Sequence, residues 1–111
     1  MTRILNPIEY VALANLQEYT ETSASSLVLD VRCRIPDKLS NTTFYRTMGR
    51  LEDEKLARSH FRRIAAQNGT CKELVFVITE AGIEAWQETR HFYDQLFPQF
   101  MRKDAGRPKG R

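Results

Sequence analysis

Little in this chain could hold a metal, a cofactor or a lipid. Its two cysteines, Cys33 and Cys71, stand far apart and fit neither a zinc-ligand nor a redox spacing. Both are expected to be reduced and buried or half-buried. Only two histidines are present, His60 and His91, and each reads as a surface polar residue. No apolar run reaches the roughly 18 residues that span a bilayer, and the N-terminus lacks a signal-peptide core. A soluble, cytoplasmic protein with no membrane partner is therefore expected. There is no Gly-rich phosphate loop, no His-x-x-x-His pair and no Gly-x-Ser-x-Gly elbow. The chain is accordingly read as a non-enzyme with no cofactor.

The 111 residues suffice for one domain with a modest core, small enough to gain from a partner subunit. The net charge of +3 is unevenly spread. Residues 1–101 hold 12 of the 17 basic and 13 of the 14 acidic groups, so the basic excess lies in residues 102–111. A near-neutral body sets up no long-range field, and any nucleic-acid contact must rest on local placement of Arg and Lys.

Helical punctuation opens the chain. Asn6, Pro7 and Glu9 supply an N-cap, a first-turn proline and an acid, which start a helix at Pro7 with Ile8, Val11, Ala12, Leu16 and Tyr19 on its buried face. A polar separator, Thr20 to Ser23, precedes a second helix over about 24–34, with Leu27, Val28, Val31 and Ile35 at helical spacing and Pro36 as its stop. A third opens after Ser40 as N-cap, with Phe44, Met48, Leu51 and Lys55–Leu56 as its stripe. The short connection is that of a helix-turn-helix. Two strand-like runs, ARSHFRRIA and CKELVFVIT, flank AQNGT, whose Asn68-Gly69 signals a hairpin. In the second run Leu74, Phe76 and Ile78 alternate with Val75 and Val77, which predicts cover on both faces. Thr79 then caps a long helix over about 80–103, whose seam is Ile83, Trp86, Arg90, Tyr93, Phe97 and Phe100. Phe92, Leu96 and Met101 widen its apolar face beyond what a small core covers.

LSNTTFYRTMGRLEDEKL followed by VFVITEAG resembles the DNA-reading helix and wing of winged helix-turn-helix regulators of the PadR family, with the MarR type close behind, over roughly residues 8–90. The implied fold is mostly α with a small β-hairpin wing, a winged helix-turn-helix plus a long C-terminal dimerisation helix. Its parts would be a DNA-binding domain over 1–79, the dimerisation helix over 80–103, and a basic disordered tail over 104–111. The implied function is a sequence-specific transcription regulator, a repressor acting as a homodimer on double-stranded DNA. Ser40, Asn41, Thr42, Thr43, Tyr45, Arg46 and Arg50 are its expected recognition-helix contacts, because short polar residues and Arg reach base edges or phosphates. Arg58, Arg62, Arg63 and Lys72 make the wing basic. Glu52, Asp53 and Glu54 are expected to point away from phosphate. Lys55 departs from the family pattern, which has Gly at this helix end. Gly106-Arg107-Pro108 resembles the core of a minor-groove AT-hook, with Ala105 where the hook has Arg. A small-molecule effector would sit near Trp86, Phe92 and Tyr93. The rival expectation is a winged helix that serves protein–protein contact, with the aromatic last helix as its surface.

Overall fold

A computed structural model describes residues 3–36 and 38–96. Phe97, Phe100, Arg107 and the expected stretch of helix and tail beyond Leu96 lie outside the described residues. Seven elements follow in order: α1 (Pro7–Tyr19), β1 (Glu21–Ser23), α2 (Ala24–Arg34), α3 (Asn41–Asp53), β2 (Ala57–Ala66), β3 (Gly69–Ile78) and α4 (Glu80–Leu96). The mostly helical, winged architecture is the one anticipated.

α1 begins with a full capping box: the Asn6 side chain accepts from the Glu9 N–H while the Glu9 carboxylate accepts from the Asn6 N–H, each at 2.9 Å. Its buried face differs from the expected one. Ala12, Leu13 and Leu16 are fully enclosed, while Tyr19 is 56% exposed. The last turn of α1 turns Tyr19 outward, and Leu13 occupies the core position. α2 has the anticipated span and buries Leu27, Val28 and Val31. α3 buries Phe44, Met48 and Leu51, one stripe at i, i+4 and i+7.

The exit of α3 is a Schellman motif. Leu56 N–H donates to the Leu51 carbonyl at 2.8 Å and Lys55 N–H to the Glu52 carbonyl at 2.9 Å. Lys55 therefore takes the left-handed conformation, φ 62°, and lies off the apolar stripe. The position keeps the conformation that favours glycine without a glycine there. Leu56 and Leu51, flanking it, are both buried.

Further features depart from the sequence reading. The polar separator contains a strand: β1 pairs antiparallel with β3, giving a three-stranded sheet in the order β1-β3-β2. A buried polar relay holds it, with the Thr22 hydroxyl donating to Asn15 Oδ1 at 2.8 Å and Asn15 Nδ2 to Asp30 Oδ2 at 2.7 Å. The relay joins α1, β1 and α2. In the hairpin, Ala66 pairs with Gly69, so Gln67 and Asn68 form the loop and Gly69 alone takes positive φ, 113°. Both cysteines are exposed, contrary to expectation: Cys33 on α2 away from its Leu27–Val31 stripe, Cys71 on the outer half of β3.

α4 is bolted to the α3 exit. Thr79 N–H donates to the Leu56 carbonyl at 3.2 Å, its hydroxyl donates to the Lys55 carbonyl at 2.8 Å, and the same hydroxyl accepts from Gly82 N–H at 3.0 Å. Gly82 permits this approach. A Cβ at that position would lie 2.1 Å from the Leu56 carbonyl oxygen.

Candidate nucleic-acid interface

Burial of Phe44, Met48 and Leu51 leaves the opposite side of α3 in solvent. Ser40 caps the helix, accepting from Thr43 N–H at 3.1 Å, and its hydroxyl donates to the Thr43 hydroxyl. Asn41, Thr42, Tyr45, Arg46 and Arg50 are all exposed, and Thr43 is half-buried. The Tyr45 ring braces edge-on against Phe44, with centroids 5.1 Å apart, and remains 46% exposed.

The two arginines on this face differ. Arg46 makes no side-chain hydrogen bond or ion pair among the described residues, so its charge is uncommitted. Arg50 lies 3.6 Å from the Glu54 carboxylate and 4.0 Å from that of Glu9. Those acids belong to a cluster at the C-terminal end of α3. Glu9 is fully buried, and Arg3 donates to both its oxygens while its Nε donates to Glu54 at 2.9 Å. Burial alone would raise the Glu9 carboxyl; the Arg3 bonds, the Asn6 N–H and the nearby charges outweigh it and hold it below the usual glutamate range. The same contacts raise the Arg3 guanidinium. Glu52 is taken up separately, accepting from the Ser59 hydroxyl at 2.7 Å.

That last bond orients the wing. Cross-strand partners share a face of a sheet, so Ser59, Phe61 and Arg63 of β2 lie on one face with Phe76, Leu74 and Lys72 of β3. Ser59 shows that this face is on the α3 side. Arg63 and Lys72 stand directly opposite one another there, with no side-chain partner among the described residues. Like charges so placed cost stability. Phe61, beside them, is 64% exposed.

Arg58, His60 and Arg62 occupy the other face. Arg62 is bound to Glu73 at 3.0 Å and lies 3.5 Å from Glu21, which also contacts His60 at 2.9 Å. Arg58 has no side-chain partner among the described residues. The structure thus brings Arg46, Arg63 and Lys72 out on the α3 side without a side-chain partner among the described residues, and turns Arg58 and Arg62 away from that side.

On α4, Trp86 serves its own fold. Its ring stacks on Tyr10 at 5.0 Å and its Nε1 donates to the Tyr10 carbonyl at 3.0 Å. Arg90 lies over the same indole, 5.8 Å from its centroid. Ile83 is half-buried, while Phe92, Tyr93 and Leu96 are 41%, 39% and 53% exposed. A groove of about 650 Å³ runs along α4 beside Ile4, lined also by Glu84, His91 and Phe92. Of the three aromatics expected around an effector, only Phe92 borders it. Among the described residues there is no group of three or more His, Cys, Asp or Glu side chains placed to hold a metal, and no helix long and apolar enough to cross a membrane. One contributor escaped the sequence reading: Arg32 of α2 donates from Nη2 to Asn41 Oδ1 at 2.6 Å.

No protein-family model matches the sequence, and no curated protein matches it. Solved structures do share its fold. A PadR family transcription regulator from hypervirulent Clostridium difficile superposes with a TM-score of 0.69 at 18% identity, over 86% of this chain and 99% of that one. A PadR-like transcriptional regulator from Bacillus cereus gives 0.65 at 19% identity, over 94% and 93%. A winged-helix DNA-binding protein from STIV gives 0.58 at 20% identity, over 85% and 95%. At such identities the likeness is one of architecture, and the architecture of this chain is the winged-helix fold seen in PadR-family structures.

Proposed function

We propose that this chain is a double-stranded-DNA-binding transcription regulator, a homodimeric repressor. The carrying observation is the solvent face of α3: Asn41, Thr42, Tyr45 and Arg46 stand in one exposed row over a fully buried apolar stripe. Helix N-terminal halves with short polar side chains fit the major groove. The adjoining like-charged pair Arg63 and Lys72 supports the same reading, because a phosphate between them would turn a cross-strand repulsion into two attractions. Arg50 contributes less, since leaving Glu54 and Glu9 would offset its gain from phosphate. The neighbours whose descriptions name transcription regulators or DNA binding are consistent with this role.

The dimer would form through α4, whose Phe92, Tyr93 and Leu96 are left uncovered in the single chain. Two α3 helices would then reach half-sites about one DNA turn apart. An effector would enter the groove beside Phe92.

A salt series of binding to random-sequence duplex tests the reading. Affinity should fall steeply between about 50 and 200 mM salt, and Arg46→Ala should weaken binding more than Arg50→Ala. The absence of duplex binding at low salt would overturn the proposal and favour a winged helix used for protein contact.

A further inference from the structure

Arg32 stands in the last turn of α2, facing the start of α3. Its Nε donates to the Leu39 carbonyl at 2.9 Å, and its Nη2 donates to Asn41 Oδ1 at 2.6 Å. One rigid guanidinium plane therefore grips both the turn and the first residue of α3. Because guanidinium carries donors only, the atom of Asn41 turned toward it must be the carbonyl oxygen. The amide nitrogen then projects away from Arg32, on the exposed side of the helix start.

This matters for what Asn41 can recognise. An asparagine that reads adenine does so with both ends at once, accepting from N6 and donating to N7. Arg32 takes one of the two Oδ1 lone pairs, and an adenine N6 amino group brought to the other would set a donor beside the guanidinium donors, so the Nδ2 donors are the end of the amide that meets a base without that cost. We propose that Arg32 is a positioning residue that makes Asn41 a donor-only contact, so that the base it meets presents acceptors, guanine N7 and O6 or thymine O4, in place of the acceptor–donor pair of adenine. This rests on the DNA-binding reading above. It concerns which base is preferred, and it assigns a role to a side chain outside the α3 face.

Selection from a pool of random 30-base-pair duplexes tests it, with the bound fraction sequenced for the parent protein, Asn41→Ala, Arg32→Met and Arg32→Lys. Asn41→Ala should erase the preference at one position of the selected motif and thereby locate its contact. The parent should favour guanine or thymine there. Arg32→Met, which frees Oδ1, should raise the adenine share at that position roughly 5-fold or more while other positions keep their preferences. Arg32→Lys retains the charge but cannot hold both acceptors from one plane, and should give a smaller shift in the same direction. A merely structural role for Arg32 would lower the melting temperature without changing base preference. Parent selection of adenine at the Asn41 position, or a motif that Asn41→Ala or Arg32→Met leaves unchanged, would overturn this proposal alone. A parent that retains no duplex at low salt would overturn it together with the DNA reading.

Discussion

Gly82 is the most closely approached of the described glycines, and replacing it by alanine tests how α4 is fixed to the exit of α3. In α4 an alanine would ordinarily gain about 1 kcal/mol of helix propensity over glycine. Here the added Cβ would sit 2.1 Å from the Leu56 carbonyl oxygen and 2.7 Å from Ile78 Cγ1. Ordinary contact begins near 3.4 Å, so one element must move by more than an ångström, and the obstacle is backbone rather than a flexible side-chain end. Overpacking of this kind costs about 1–3 kcal/mol. The shift also stretches the two Thr79 bonds to the α3 exit, each worth on the order of 1 kcal/mol. The net loss is then about 2–4 kcal/mol, a fall of roughly 10 °C or more in Tm. Gly49 supplies the control, because it lies inside α3 with nothing within 4 Å of its would-be Cβ, and Gly49→Ala should stabilise by up to about 1 kcal/mol. Urea denaturation of both variants compares them at equal slope. A Gly82→Ala protein as stable as its parent would refute the claim that this contact sets the position of α4.

Lys55→Gly should stabilise by up to about 1 kcal/mol in the same assay, since the left-handed conformation costs a side-chain-bearing residue about 1–2 kcal/mol and glycine returns part of that as chain entropy; equal or lower stability would count against strain at the α3 exit. Glu9→Gln should destabilise by about 2–3 kcal/mol because it leaves Arg3 beside a neutral, buried group. The Glu9 carboxyl is depressed in the fold, so its contribution is fully present above the ordinary glutamate value of 4.5 and fades as pH falls from there through the lower folded value; the parent, and not Glu9→Gln, should lose this increment progressively in melts below about pH 4.5. Sedimentation of the parent should give a dimer at tens of micromolar, and Tyr93→Asp with Leu96→Asp a folded monomer; a monomeric parent would remove α4 as a dimer interface.

What was legible in the sequence is what depends on neighbours along the chain. The start of α1 followed from Asn6, Pro7 and Glu9, and the α3 stripe from Phe44, Met48 and Leu51, because caps and periodicity act within a turn or two. β1 was not legible. Glu21, Thr22 and Ser23 have no strand pattern of their own, and they become a strand because β3 offers an unpaired edge and Asn15 holds the Thr22 hydroxyl. The Tyr19 error has the same root: the helix period places it with Leu16, but exposure is settled by where the neighbouring elements stop.

For the candidate interface the limit falls between residue type and residue commitment. Sequence picks out every cation on α3 and the wing, yet it treats Arg46 and Arg50 as equivalent because they stand one turn apart on one face. Only the fold brings Glu9, 41 positions earlier, within 4.0 Å of Arg50, and only the sheet register separates Arg63 and Lys72 from Arg62. A cation already paired must leave its partner to meet phosphate, whereas an unpaired one gives up only water. The cations on the α3 side that have no side-chain partner among the described residues, Arg46, Arg63 and Lys72, should therefore carry more of the salt-dependent affinity than Arg50 and Arg62. Alanine at each of the five positions, compared by the slope of log affinity against log salt, decides this. A slope reduced by nearly one for each of the first three, and by distinctly less for the paired two, is expected; equal reductions would mean that the ion pairs at Glu54 and Glu73 do not hold those arginines back.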